Sequence, residues 1–156
     1  MYNLEDLYKA IAICQDVELL RKITEENPKL LHEKDKFGFS SIHYAADGEE
    51  EEILQFLLDN GVDVNDKNDD GNTALFTVLY PNIAEMLIEN GANINERNKF
   101  GDTPLHCLAA NGEESEEIIT ILLENGADKT IINNNGKTAL DIAKAREDMD
   151  NINLLK

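Results

Sequence analysis

Histidine, cysteine and clustered carboxylate are the residue types in this chain that could do chemistry. His43 and His106 could act as general bases if a nucleophile and an orienting acid stood within hydrogen-bond reach. No such partner recurs at a fixed spacing from either imidazole. The two thiols, Cys14 and Cys107, lie far apart and form no C-x-x-C pair, so they make neither a disulfide framework nor a zinc site. Cys107 falls at an apolar position of a helical pattern and reads as a small buried hydrophobe. Cys14 lies near the end of the first helix, where oxidation sensing stays open. Asp66-Lys67-Asn68-Asp69-Asp70-Gly71 fits the first half of a calcium loop, D-x-N-x-D-G. That loop needs a bidentate Glu at its far end, and Thr77 stands there instead. These residues give no catalytic set, no metal site and no cofactor.

The chain that must position them has 156 residues, 42% hydrophobic and 29% charged, which suits one packed domain rather than a disordered segment. Aromatics make up 6% and there is no Trp, which favours helices of Leu, Ile and Ala over an aromatic-rich sandwich. The net charge is −18, from 32 acidic against 14 basic residues. Such a chain repels nucleic acid and anionic membrane surfaces, and a basic protein is its natural complement. Acidity alone also serves solubility. Residues Met1 to Leu20 carry Glu5 and Asp6 and only a short apolar run, Ala10 to Cys14. They read as neither a cleaved leader nor a membrane span, so the expected location is cytoplasmic. Export by a route without a cleaved leader stays open.

Two markers repeat in phase. Gly38-Phe39-Ser40-Ser41-Ile42-His43 returns as Gly71-Asn72-Thr73-Ala74-Leu75-Phe76, as Gly101-Asp102-Thr103-Pro104-Leu105-His106 and as Gly136-Lys137-Thr138-Ala139-Leu140-Asp141, with glycine spacings of 33, 30 and 35. Leu57-Leu58-Asp59-Asn60-Gly61 returns as Leu87-Ile88-Glu89-Asn90-Gly91 and as Leu122-Leu123-Glu124-Asn125-Gly126. Ser40, Thr73, Thr103 and Thr138 stand where a helix begins and can cap its free N–H groups. Pro104 suits the first helical position. Each unit then reads as a short first helix, such as Leu105 to Ala110, and a second one, such as Ile53 to Leu58, ending at Asn-Gly. The stretch from Val62 to Gly71 is turn-rich and bridges to the next unit.

These motifs resemble the ankyrin repeat, best over Gly101 to Ala110, and the resemblance runs along nearly the whole chain. It implies an all-α solenoid of stacked helix-turn-helix repeats with connecting β-hairpin loops and a concave face. The expected organisation is a single domain over residues 1-156, with units of about 1-35, 36-68, 69-98, 99-133 and 134-156 and degraded outer units. The resemblance also gives His43 and His106 a structural role, bonding backbone between units. Phe76 and Asp141 replace them in units three and five. Unit three is shorter by three residues, expected at Tyr80-Pro81-Asn82 between its helices, and unit four is two longer around Gly112 to Glu117. Such changes mark a specialised region or drift in a tolerant loop.

In ankyrin proteins, partner contacts commonly come from residues flanking the opening glycine and from the end of the first helix. Carried onto this chain, they are Phe37, Phe39, Asp69, Asp70, Asn72, Phe100 and Asp102, with Asn134, Asn135 and Lys137 in the last unit. Tyr80 is expected to end the first helix of unit three. Aromatics at turn tips suit binding anchors. The alternative is that Phe37 and Phe100 fold back over a neighbouring unit. The acidic run Glu49 to Glu52 recurs as Glu113-Glu114 and Glu116-Glu117, at the starts of second helices, where carboxylates suit the helix N-terminus. The surplus charge would form an acidic edge. The expected function is therefore protein–protein interaction by a monomer with a basic partner. An inhibitor or immunity protein that neutralises a toxin, and a host-directed effector or adaptor, are alternative forms. An enzyme and a structural spacer are the rival classes.

Overall fold

A computed structural model gives the architecture, and it describes residues 2–112 and 115–156. Glu113 and Glu114, part of the second acidic run, lie outside the described residues. The α-helices are α1 (Leu4–Ala12), α2 (Val17–Glu26), α3 (Ser41–Ala46), α4 (Glu51–Asp59), α5 (Pro81–Glu89), α6 (Pro104–Asn111), α7 (Glu116–Glu124), α8 (Ala139–Ala145) and α9 (Met149–Leu155). Short 3-10 turns cover Pro28–His32 and Ala74–Phe76. No strand occurs among the described residues. The hairpins are tight turns, each closed by two backbone bonds, as from Asn68 N–H to Asn72 O and from Gly71 N–H to Asn68 O, both at 2.9 Å.

The helices stack in two layers. The first-helix layer runs α1, α3, the Ala74–Phe76 turn, α6 and α8, each packed on the next. The second-helix layer runs α2, α4, α5, α7 and α9 in the same way. Apolar residues at helical spacing build the core between them: Ile42, Leu54 and Leu57, then Leu75, Ile83 and Leu87, then Leu105, Leu108, Ile119 and Leu122. All of these are buried. Cutting one of them to alanine would cost about 2–5 kcal/mol.

Local chemistry sets the ends of the helices. The Asn3 side chain accepts the N–H groups of Glu5 and Asp6, and Asp6 accepts that of Asn3 in return. Asp16 caps α2 through the N–H of Leu19 at 3.0 Å. Helix α2 stops at Glu26 because Pro28 disfavours helical backbone at Asn27. The amides of Asn60, Asn90 and Asn125 donate to the carbonyls of Phe56, Met86 and Ile121, closing α4, α5 and α7 alike.

Unit three departs from expectation. Its shortening does not fall in the loop between two helices. It falls in the first helix, which is reduced to the 3-10 turn Ala74–Phe76. Pro81 opens α5 and holds Tyr80 extended, at φ −118 and ψ 132. Too few residues remain between Thr73 and Pro81 for a full helix and a return. Tyr80 therefore does not end a first helix; it caps the start of the second.

Candidate functional site

The turn tips form one continuous row, built by a residue three positions before each opening glycine. Asp35, Asn68, Asn98 and Asn133 each accept two backbone N–H groups from their own turn, two and four residues on, at 2.8–3.0 Å. The sequence carries this Asn or Asp at a constant offset from the glycine, a signal that the two repeating markers do not include. Burial would raise the Asp35 carboxyl, but the N–H groups of Phe37 and Phe39 and the Tyr44 hydroxyl hold it below the ordinary carboxylate range.

Each tip is then tied to the next. Asp69 N–H donates to the Phe37 carbonyl at 3.1 Å, Lys99 N–H to Asp70 at 2.9 Å and Asn134 N–H to Phe100 at 3.0 Å. The approach is close enough to demand glycine. Gly38 has φ +78, and a Cβ there would lie 2.6 Å from the Asp69 nitrogen. Cations add a second set of ties. Lys34 meets Asp66, Lys67 meets Glu96 at 3.0 Å, and Arg97 donates to the Ile132 carbonyl. A third set runs past the second helices, where Asn65 and Asn95 donate to the carbonyls of Gly91 and Gly126 in the following units.

Upon this scaffold the expected contact residues divide. Phe37 and Phe100 project from equivalent tip positions and are each 56% exposed. Asp69 and Asp70 are exposed beside them. Asp102 is half-buried, its carboxylate accepting from the Asn133 amide at 2.7 Å. Asn72 is also half-buried; its side-chain oxygen accepts from Asn98, and its carbonyl from His43. Phe39 turns inward, edge-on to His43 with ring centres 5.4 Å apart. Tyr80 belongs to a different place, beyond the far end of the first-helix layer. Of the last unit's tip, Asn134, Asn135 and Lys137 are exposed.

The histidines sit beneath the tips. His43 Nδ1 accepts the Ser40 N–H at 3.2 Å, so the proton is on Nε2, which donates to Asn72 O at 2.9 Å. His106 repeats this with Thr103 and Lys137. Contrary to the expectation from sequence, a partner does recur at a fixed spacing: the Ser40 and Thr103 hydroxyls, each three residues before its histidine, lie 3.0 and 2.8 Å from these imidazoles, close enough to activate a nucleophile. Yet all four residues are buried, and both ring nitrogens are occupied by the fold. Burial lowers the pKa of His43, against the pull of the Asn72 carbonyl and Asp66.

Burial, aided by Asp102, pushes the Cys107 thiol up to about 11. Cys14 is exposed just beyond α1. In the half calcium loop, Asp66 pairs with Lys34, and the Asn68 side-chain oxygen is taken by backbone N–H groups. Among the described residues, no group of three His, Cys, Asp or Glu side chains could hold a metal. No helix there is long and apolar enough to cross a membrane.

A family profile described as "Ankyrin repeats (3 copies)" matches residues 7–98 and 77–156. The chain is also 29% identical, over 147 residues, to "Potassium channel AKT2/3" of Arabidopsis thaliana. That match covers 88% of this chain but spans only 18% of the channel's length. With stacked helix pairs, bonded turn tips and a profile match across both halves, the chain belongs to the ankyrin-repeat family.

Proposed function

We propose that this chain binds a protein with a basic surface through its turn tips and the adjoining face of the first helices. Ankyrin repeats are generally protein–protein interaction modules. The observation that carries the placement is the pair Phe37 and Phe100, half-exposed rings on backbone whose N–H and carbonyl groups are already bonded. Rings held this way lose little freedom on docking and suit binding anchors. Asp69, Asp70 and Asp102 stand beside them to meet Lys or Arg, and the charge of −18 steers a basic partner. Asn72 and Phe39 act as supports rather than anchors, and Tyr80 lies outside this surface.

The chain works as a cytoplasmic monomer without catalytic activity, cofactor, nucleic acid or membrane. Its charge favours an inhibitor of a basic protein, in the manner of an immunity protein, over a host-directed effector, an adaptor or a structural spacer. The test is affinity capture from the native lysate with the natural chain and a Phe37→Ala/Phe100→Ala variant, at low and high salt. A basic protein held by the natural chain, lost with the variant and weakened by salt is expected. A partner that ignores the variant would move the site off the tips.

A further inference from the structure

Reduction of unit three leaves a second feature at the opposite end of the first-helix layer from the tips. Helix α6 continues to Asn111, whereas the unit-three turn stops at Phe76 and the chain straightens toward Tyr80. The last turn of α6 therefore has no helical neighbour on that side. The gap is a groove of about 470 Å³ lined by Val78, Leu79, Tyr80, Asn111, Ser115 and Ile118. Val78, Ser115 and Ile118 are buried and form its floor. Leu79 is 55% exposed at its lip, and Tyr80 is half-buried. Among the described residues, none that lines it carries a charge.

Its surroundings are acidic. The Asn82 amide donates to Glu51 Oε1 at 2.8 Å, which ties the exposed run Glu49 to Glu52 to the first turn of α5, two residues after the lining Tyr80. On the other side, the exposed Glu117 lies between the lining residues Ser115 and Ile118. Lys67 is the sole Lys or Arg between residues 39 and 96, and it is held by Glu96; between 100 and 128 there is none, and the cation that reaches this end of α6 is Arg146, beside Gly112 and away from Glu49 to Glu52 in sequence. A groove with apolar walls at Val78, Leu79, Tyr80 and Ile118 and polar ones at Asn111 and Ser115, beside an acidic run with no cation near it in sequence, suits a ligand that offers one apolar side chain flanked by cations.

We propose that this groove is a docking site for a Lys/Arg-rich segment of a partner protein that inserts one aliphatic or aromatic side chain between Leu79 and Ile118. The flanking cations meet Glu49 to Glu52 and Glu117. This surface is separate from the turn tips and does not depend on them.

The test uses the full chain, labelled with nitrogen-15, and a lysine-rich synthetic peptide with one central tryptophan. The same peptide with a central glycine is the control. The tryptophan peptide should saturably shift the amide resonances of Val78 to Tyr80, Asn111, Ser115 and Ile118. The glycine peptide should bind about tenfold more weakly or worse, as should the tryptophan peptide to a Leu79→Ser chain. Leu79 is exposed enough for that variant to keep its fold, which circular dichroism checks. Neutralising Glu50→Gln/Glu52→Gln should weaken binding and flatten its salt dependence. The Phe37→Ala/Phe100→Ala chain should bind the peptide unchanged, which separates failure of the tips from failure of the groove. Equal binding of the two peptides, shifts confined to the tips, full affinity of Leu79→Ser, or no binding to the natural chain would each overturn the proposal.

Discussion

Thr73 and Phe76 stand where the neighbouring units pair a hydroxyl with an imidazole, and the Thr73 Oγ1 is left buried with no hydrogen-bond partner. Units two and four join Ser40 to His43 and Thr103 to His106. Unit five restores the pair with Asp141, whose carboxylate accepts both the Thr138 hydroxyl and its N–H. A buried, unpaired hydroxyl costs about 1–3 kcal/mol. Thr73→Val should thus be neutral or stabilising by about 1 kcal/mol, whereas Thr103→Val should destabilise by about 1–3 kcal/mol. Urea denaturation of the two variants reads the contrast, and equal losses would refute it.

Stability should fall in two steps as pH drops. Burial keeps the pKa of His43 below its ordinary 6.5, so the unfolded chain takes up that proton first. The contribution is fully present above about 6.5 and is lost as pH falls toward the folded value. Asp35 and Asp66 work lower down. Burial would raise them, but turn N–H groups at Asp35 and Lys34 at Asp66 hold them below 3.8, so their contribution is lost only in stronger acid. A His43→Asn variant should lose about 1–3 kcal/mol at neutral pH. It should also lose the upper step and keep the lower one. Denaturation midpoints across the acid range give the answer, and an unchanged upper step in the variant would exclude His43 as its source.

Much of this fold is legible in the sequence because each unit repeats the same local devices: a capping hydroxyl, an apolar stripe and an Asn-Gly stop. Phe37 and Phe39 show where that legibility ends. They are the same residue type two positions apart, yet one is exposed and the other packs on His43 and Tyr44. Turn geometry and contacts with another element decide between them, and neither is a property of composition. The ties through Asn65, Asn95 and Arg97 join residues 26 to 35 positions apart, so only the stacked fold brings them together. The loss in unit three could be counted but not placed, because local signals allow either a shorter loop or a shorter helix.

The thiols should react separately. Cys14 is exposed, while Cys107 is partly covered and its thiol is pushed up to about 11, so little of it is thiolate at neutral pH. Iodoacetamide should modify one thiol per native chain and both in urea. Mass spectrometry of the digested protein would identify the site, and rapid native labelling of Cys107 would contradict this account of its surroundings.

Gly101 and Gly136 share a left-handed backbone, at φ +75 and +69, but differ in what lies in front of them. A Cβ at Gly101 would stand 2.8 Å from the Asn134 backbone nitrogen, while at Gly136, in the last unit, nothing lies within 4 Å. Gly136→Ala should cost only the left-handed conformation, about 1–2 kcal/mol. Gly101→Ala adds a clash with rigid backbone, worth about 1–3 kcal/mol more. It should also push apart the tips joined by the Asn134-to-Phe100 bond. Hydrogen exchange at the Asn134 amide should therefore accelerate in Gly101→Ala and stay unchanged in Gly136→Ala. If the two variants proved equally stable and equally protected, the tips would not be in the close contact that holds Phe100 in place.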